Sequence, residues 1–150
     1  TPSCLDSKIH HNNLLNNILA SIEANVAGVD SAIMLDLNGF VSETNDTNLF
    51  LVRAGKVLTP HADACLPGLT RQMILDICEA EGIPWAEKNL SLTELYTADE
   101  VFTSGTMGEL TPVLEADGRV IGDGGVGEMT RRLQSLHRRY AWENGAPLPF

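Results

Sequence analysis

Apolar residues first recur at helical spacing at Leu14, Ile18 and Ile22, with Leu15 and Val26 widening the stripe and Gly28 placed to stop it. This predicts a first helix. Residues 32–37 then form an apolar run that reads as a buried strand, Asn38-Gly39 is hairpin-turn chemistry, and residues 40–43 return as its partner. Asn48–Arg53 and Lys56–Thr59 flank Ala54-Gly55 as a second hairpin. The region predicts a small antiparallel sheet.

Pro67-Gly68 interrupts the chain before residues 69–81, where Met73, Ile74 and Ile77 share a helix face and Gly82 stands at the expected end. Ser91 and Glu94 have the spacing of a capping box for a short helix reaching about Tyr96. Residues 100–104 and 110–116 read as strands separated by Gly105-Thr106-Met107-Gly108, and Asp117-Gly118 turns the chain toward residues 119–121. Met129, Leu133, Leu136 and Tyr140 mark a closing helix, followed by a tail containing Gly and Pro. Hairpins mixed with helices indicate the α+β class. With no repeat and no linker, residues 1–150 are expected to form one domain.

At this length a domain buries roughly 70% of its unfolded surface, enough for a hydrophobic core. The net charge of −10 disfavours nucleic acid and anionic membrane as partners. Basic residues gather at Arg131, Arg132, Arg138 and Arg139, a pattern expected of a solvated helix face. Cys4, Cys65 and Cys78 show no paired spacing, so neither a disulfide framework nor a zinc site is expected, and a reduced, cytoplasmic setting is the default. No run approaches the ~20 apolar residues of a membrane span. The first residues lack a signal-peptide pattern, and a chain beginning with Thr1 reads as processed or cut from something longer.

Four places carry candidate chemistry. Leu66-Pro67-Gly68-Leu69-Thr70-Arg71 brings a glycine and a hydroxyl to a helix start, where unpaired N–H groups favour an anion; by itself this is also how an ordinary helix begins. Ser104-Gly105-Thr106-Met107-Gly108 is a tight, donor-rich loop that suits an oxyanion or is merely a turn. Glu43 ends a strand ahead of Thr44-Asn45-Asp46-Thr47-Asn48, whose side chains can position a carboxylate, or it is a solvated strand end. Lys8 precedes the first helix, where most lysines face solvent. Beside it, His10 and His11 lack a third ligand at recognisable spacing, so no metal is expected.

Taken in order, these blocks resemble the class IV (fold-type IV) pyridoxal-phosphate enzymes: branched-chain aminotransferases, D-amino-acid transaminases and aminodeoxychorismate lyases. The resemblance runs from Leu5 to about Leu133. Its landmarks are Asp6-Ser7-Lys8, Leu35-Asp36-x-x-Gly39-Phe40-Val41-x-Glu43 with Asn48-Leu49-Phe50, and Leu66-Pro67-Gly68-Leu69-Thr70-Arg71. Later ones are Ala98-Asp99-Glu100-Val101-Phe102-x-x-Gly105-Thr106, Glu109-Leu110-Thr111-Pro112-Val113 and Asp117-Gly118-Arg119-x-Ile121-Gly122.

The resemblance implies the C-terminal domain of that family, a pseudo-barrel of mostly antiparallel strands flanked by helices. It implies pyridoxal 5'-phosphate as cofactor, held by Lys8 as a Schiff base, with Lys8 then shuttling a proton between substrate and cofactor carbons. Glu43 would pair with the pyridine nitrogen and keep it protonated. Leu69 and Thr70 would meet the phosphate at the helix start, and Gly105 and Thr106 would close on it from the other loop. Leu66 would lie against the ring, and the backbone of Met107 and Gly108 would approach the substrate carboxylate. The implied reaction moves an amino group from an amino acid to a 2-oxo acid such as 2-oxoglutarate, with the lyase as the alternative enzyme and a non-catalytic domain of the same fold as the alternative of another class.

Two features depart from the family pattern. A tyrosine usually follows the lysine of branched-chain aminotransferases, where this chain has Ile9-His10-His11-Asn12-Asn13, and the loop after Glu43 lacks the usual glycine and serine. The family's N-terminal domain, which covers the cofactor and supplies much of the substrate pocket, has no counterpart in these residues. The chain alone is therefore expected to be inactive or completed by another polypeptide, with a homodimer as the full-length form.

Overall fold

The structure is a computed structural model that describes Asp6, Lys8, Ile9 and residues 14–146. Helix α1 (Leu15–Ala27) ends at Gly28, whose φ of 73° is the left-handed conformation that terminates helices. Strands β1 (Ile33–Leu35) and β2 (Val41–Thr44) form the first hairpin. Its turn is fixed by the Asp36 carboxylate, which accepts the N–H groups of Asn38 at 2.8 Å and Phe40 at 2.9 Å. Strands β3 (Asn48–Arg53) and β4 (Lys56–Thr59) follow, turning through Ala54 and Gly55, both at positive φ as a tight hairpin requires.

Helix α2 (Leu69–Ala80) then crosses to β5 (Trp85–Glu87), and α3 (Leu92–Tyr96) starts from the predicted capping box of Ser91 and Glu94. Strands β6 (Glu100–Gly105) and β7 (Glu109–Val113) are joined by the glycine-bearing loop. The short hairpin β8 (Glu115–Ala116) and β9 (Arg119–Val120) precedes α4 (Glu128–Glu143).

The main sheet has five strands in the order β5-β4-β3-β6-β7, antiparallel except for the β4–β5 pair. That one parallel pair follows from α2, which carries the chain back to the end of the sheet from which β4 began. Alternation along β3 and β6 sends side chains to both faces. Phe50, Val52 and Phe102 pack under α2 and α4 with Ile74, Cys78 and Leu133; the Phe50 and Phe102 rings stack at 4.9 Å. Leu49, Leu51 and Val101 point the other way, into a second core with Val41, Leu90, Leu95 and Ile121. Both faces are therefore covered, which explains why β3 is apolar almost throughout rather than alternating.

Several expectations change in detail. The strand expected at 32–37 is only three residues long, and it is not buried: Leu35 is exposed. Residues 110–116 do not run as one strand but divide at Leu114 into β7 and β8. Strand β5 had no prediction. The apolar stripe of α1 faces outward, with Leu15, Ile18, Ile22 and Val26 exposed and Ala24 its buried residue. The expected α+β class of mostly antiparallel strands flanked by helices holds: among the described residues the strands form an open five-stranded sheet and two hairpins, with no closed barrel. No described helix is long and apolar enough to cross a membrane. The basic cluster on α4 is a paired surface: Arg139 meets Glu81 at 2.6 Å and Arg138 meets Glu109 at 3.0 Å.

Candidate active site

Glu43, Leu66, the start of α2 and Gly105 lie at one end of the main sheet, where β3 begins and β6 ends. Glu43 lies on β2, Leu66 on the segment leading to α2, and Asn48 is the first residue of β3. One carboxylate oxygen of Glu43 accepts the Leu66 N–H at 3.2 Å and lies 3.4 Å from the Asn48 amide nitrogen. The same nitrogen donates to the Leu66 carbonyl at 2.8 Å. Burial pushes the Glu43 carboxyl up to about 7, against the pull of the Leu66 N–H toward lower values. Such a group can share a proton with a basic nitrogen near neutrality, which a solvated strand end cannot.

Gly68 is the N-cap of α2 and touches Asn48, where a Cβ would overlap the amide oxygen. No side chain caps this helix, so the N–H groups of its first turn, including those of Leu69 and Thr70, face outward for an acceptor. Leu69 itself is exposed. The other turn comes alongside through the β3–β6 ladder, which pairs Asn48 with Ser104. A Cβ on Gly105 would lie 2.9 Å from Cγ2 of Thr47. Glu43, Leu66, the start of α2 and Gly105 are thus connected through Thr47 and Asn48. Thr106, Met107 and Gly108 continue from Gly105 as an exposed turn, with Met107 almost wholly solvent-facing.

The Lys8 ammonium lies 3.5 Å from the Asp6 carboxylate, and the Lys8 N–H donates to the same carboxylate at 3.0 Å. The half-exposed Lys8 side chain has no described contact with Glu43 or either turn. His10 and His11, like Cys4, lie outside the described residues. Among the described residues no group of His, Cys, Asp and Glu is arranged for a metal ion, and Cys65 and Cys78 are free and buried. Burial raises their thiols to about 12 and about 11, so both stay protonated and unreactive.

The family model described as amino-transferase class IV matches residues 1–116 of this chain. The chain belongs to the class IV aminotransferases. Branched-chain-amino-acid aminotransferase-like protein 2 of Arabidopsis thaliana is 59% identical to it over 149 residues, covering 99% of this chain and 27% of the relative. The branched-chain aminotransferase of Thermoproteus uzoniensis, solved with norvaline, superposes with a TM-score of 0.90 at 37% identity, over 97% of this chain and 48% of that one. The branched-chain aminotransferase of Thermobaculum terrenum, solved in its PLP-bound holo form, also gives 0.90 at 33% identity, over 95% and 48%. This class IV aminotransferase chain therefore spans about a quarter of the curated plant relative and about half of the solved ones.

In this class IV aminotransferase chain the surroundings of Glu43 differ in part from the sequence expectation. Of the run Thr44-Asn45-Asp46-Thr47-Asn48 expected to position the Glu43 carboxylate, Asn48 is the member whose side chain reaches it, at 3.4 Å, and it holds the Leu66 carbonyl as well. The run Thr44-Asn45-Asp46-Thr47 does not hold the Glu43 carboxylate: Thr44 binds Asp46 and Thr47, while Asn45 accepts from Ser31 at 2.6 Å and from the Ala32 N–H at 2.9 Å. The polar run after Glu43 is the available signal for Asn48, while its burial and its contact with Leu66 are not written in a strand's first residue. A cleft of about 160 Å³ lined by Asp36, Ser42, His61 and Asp63 contains none of the predicted residues.

Proposed function

We propose that this chain is the cofactor-holding part of a pyridoxal-phosphate aminotransferase that transfers an amino group between an amino acid and a 2-oxo acid such as 2-oxoglutarate. The observation that carries the reading is the convergence of a half-buried carboxyl raised to about 7, an uncapped helix start and a glycine turn at one end of the sheet. A phosphorylated pyridine needs that combination: a proton-sharing acid at the ring nitrogen and main-chain donors at the phosphate. When bound, the cofactor supplies an electron sink for the bonds at the substrate α-carbon.

In this reading Lys8 binds the cofactor through Nζ and, once displaced by the substrate amine, carries a proton between carbons. For that its ammonium must leave Asp6 and lose a proton. Glu43 holds a proton at the ring nitrogen. Leu69 and Thr70 present N–H groups to the phosphate from α2, Gly105 and Thr106 do so from the β6–β7 turn, and Leu66 packs against the ring. The main chain at Met107 and Gly108 meets the substrate carboxylate. Further polypeptide of the family fold completes the substrate pocket, and the active form is a homodimer.

The test starts from the purified chain mixed with pyridoxal phosphate and, in parallel, from a longer form carrying the rest of the fold. Borohydride reduction followed by peptide mass mapping should find the label on Lys8, and Lys8→Ala should abolish the absorbance band near the visible. Label on Lys56 or Lys88 instead would end the assignment. Half-transfer from an amino acid, completed by 2-oxoglutarate, separates the transaminase from a lyase, which needs no amino acceptor.

A further inference from the structure

We propose that Asn48 is the positioning residue that sets both ends of the cofactor site, through Leu66 at the Glu43 end and through Gly68 at the start of α2. The proposal rests on the functional reading above and adds to it a residue that touches neither ring nor phosphate.

Asn48 opens β3 with its side chain buried, ahead of the four apolar residues Leu49 to Val52. A buried amide is costly unless its donors and acceptor find partners, so its contacts have structural consequences. Its nitrogen donates to the Leu66 carbonyl at 2.8 Å and reaches the Glu43 carboxylate at 3.4 Å. Leu66 is therefore gripped twice, by Asn48 at its C=O and by Glu43 at its N–H. This closes a three-membered ring of contacts in which the Glu43 carboxylate cannot turn without moving Leu66. On its other side the Asn48 amide oxygen abuts Gly68 too closely for any side chain there. Gly68 has an extended backbone that L residues adopt freely, so the glycine is demanded by Asn48 and not by conformation.

Length and charge both restrict the position. A glutamine would push the amide past Leu66 into Glu43. An aspartate would bring a second carboxyl beside the first and supply no N–H donor. Ser104, its cross-strand partner, has a buried hydroxyl with no partner of its own. That hydroxyl is on the same face of the sheet but bridges none of these groups.

The experiment has two arms, measured on the full chain. Without cofactor, the Glu43 carboxyl is titrated by carbon NMR in the wild type, Asn48→Ala, Asn48→Asp and Gly68→Ala. Losing the clamp loosens the Leu66 N–H from the carboxylate, so the midpoint should rise by half a unit or more in each variant, furthest in Asn48→Asp. With pyridoxal phosphate, the dissociation constant should weaken about tenfold in Asn48→Ala and Gly68→Ala. Gly68→Ala deletes no polar group and displaces the amide only by contact, so it decides the matter if the Asn48 variants fail to fold. An unchanged Glu43 midpoint in folded variants, with only the melting temperature lowered, would reduce Asn48 to a structural amide and overturn the proposal. If the wild type takes up no cofactor, the functional reading fails by itself and the titration arm still decides the role of Asn48.

Discussion

The Glu43 carboxylate accepts the N–H of Leu66 at 3.2 Å while burial holds its titration near 7, so one favourable contact fails to offset the lost hydration of the charge. An acid whose folded pKa is raised gives stability that is complete below its unfolded value and is lost as pH rises through the folded one. The window here runs from about 4.5 to about 7. At roughly 1.4 kcal/mol per unit, the wild type loses up to about 3 kcal/mol across it from this one group. Glu43→Gln keeps an acceptor and carries no charge, so its stability relative to wild type should climb by up to about 3 kcal/mol between those limits. Urea unfolding of both proteins across the pH series checks this; parallel curves would refute it.

Arg71 on α2 is buried, donates to the Pro60 carbonyl at 2.9 Å and forms an ion pair with Glu87 on β5. The pair is asymmetric, since the Glu87 side chain is 37% exposed and the Arg71 side chain 4%. Removing the acid strands a charge in the interior, whereas removing the base leaves a carboxylate that water can reach. Glu87→Ala should therefore cost about 3 kcal/mol or more, and Arg71→Met, which retains an apolar stem, about 1–2 kcal/mol. Equal losses in denaturant midpoints would contradict this picture.

The elements that the sequence announces are those whose ends are set locally. Ala54-Gly55 and Asp117-Gly118 fix their hairpins by positive φ, and Ser91 with Glu94 fixes α3 by reciprocal capping bonds. Strand β5 escapes such reading because Trp85-Ala86-Glu87 is too short for a pattern and acquires its conformation from parallel pairing with β4. The outward stripe of α1 shows the converse: period alone predicts a helix but not which side is covered. At the proposed site, Glu43, Leu69, Thr70 and Gly105 are named from the ordered landmarks. Asn48 is legible as a neighbour able to position Glu43, but not as the grip on Leu66 and Gly68, which come to it from a segment that begins 18 residues further along the chain.

The β6–β7 turn depends on close approach at Gly105. A Cβ there would sit 2.9 Å from Cγ2 of Thr47, tighter than real methyl contacts allow. Gly105 has no positive φ, so the obstacle to Gly105→Ala is that one methyl and not backbone strain. The substitution should cost about 1–2 kcal/mol. Thr47→Ser removes the opposing methyl and keeps a hydroxyl for Thr44, so the double variant should recover most of the loss. Thermal melts of the two single variants and the double form the cycle, and simple additivity would show that the clash is not the cause.

Helix α4 starts without a capping side chain of its own and takes its cap from β6 instead. Glu100 accepts the N–H groups of Met129 at 2.9 Å and Thr130 at 2.7 Å, together with the Thr130 hydroxyl at 2.6 Å. A carboxylate here satisfies otherwise orphaned donors and opposes the positive end of the helix dipole. Glu100→Ala should cost about 2–3 kcal/mol, and Glu100→Gln less, because an amide keeps one acceptor oxygen but loses the charge. Gly127 makes the cap possible, since any Cβ there would occupy the space of the Glu100 carboxyl. Gly127→Ala should consequently displace the same cap, so that combining it with Glu100→Ala adds little beyond either change alone. Urea midpoints of the four proteins read this directly: full additivity would mean that the glycine and the carboxylate act on α4 separately, and the cross-element cap would have to be abandoned.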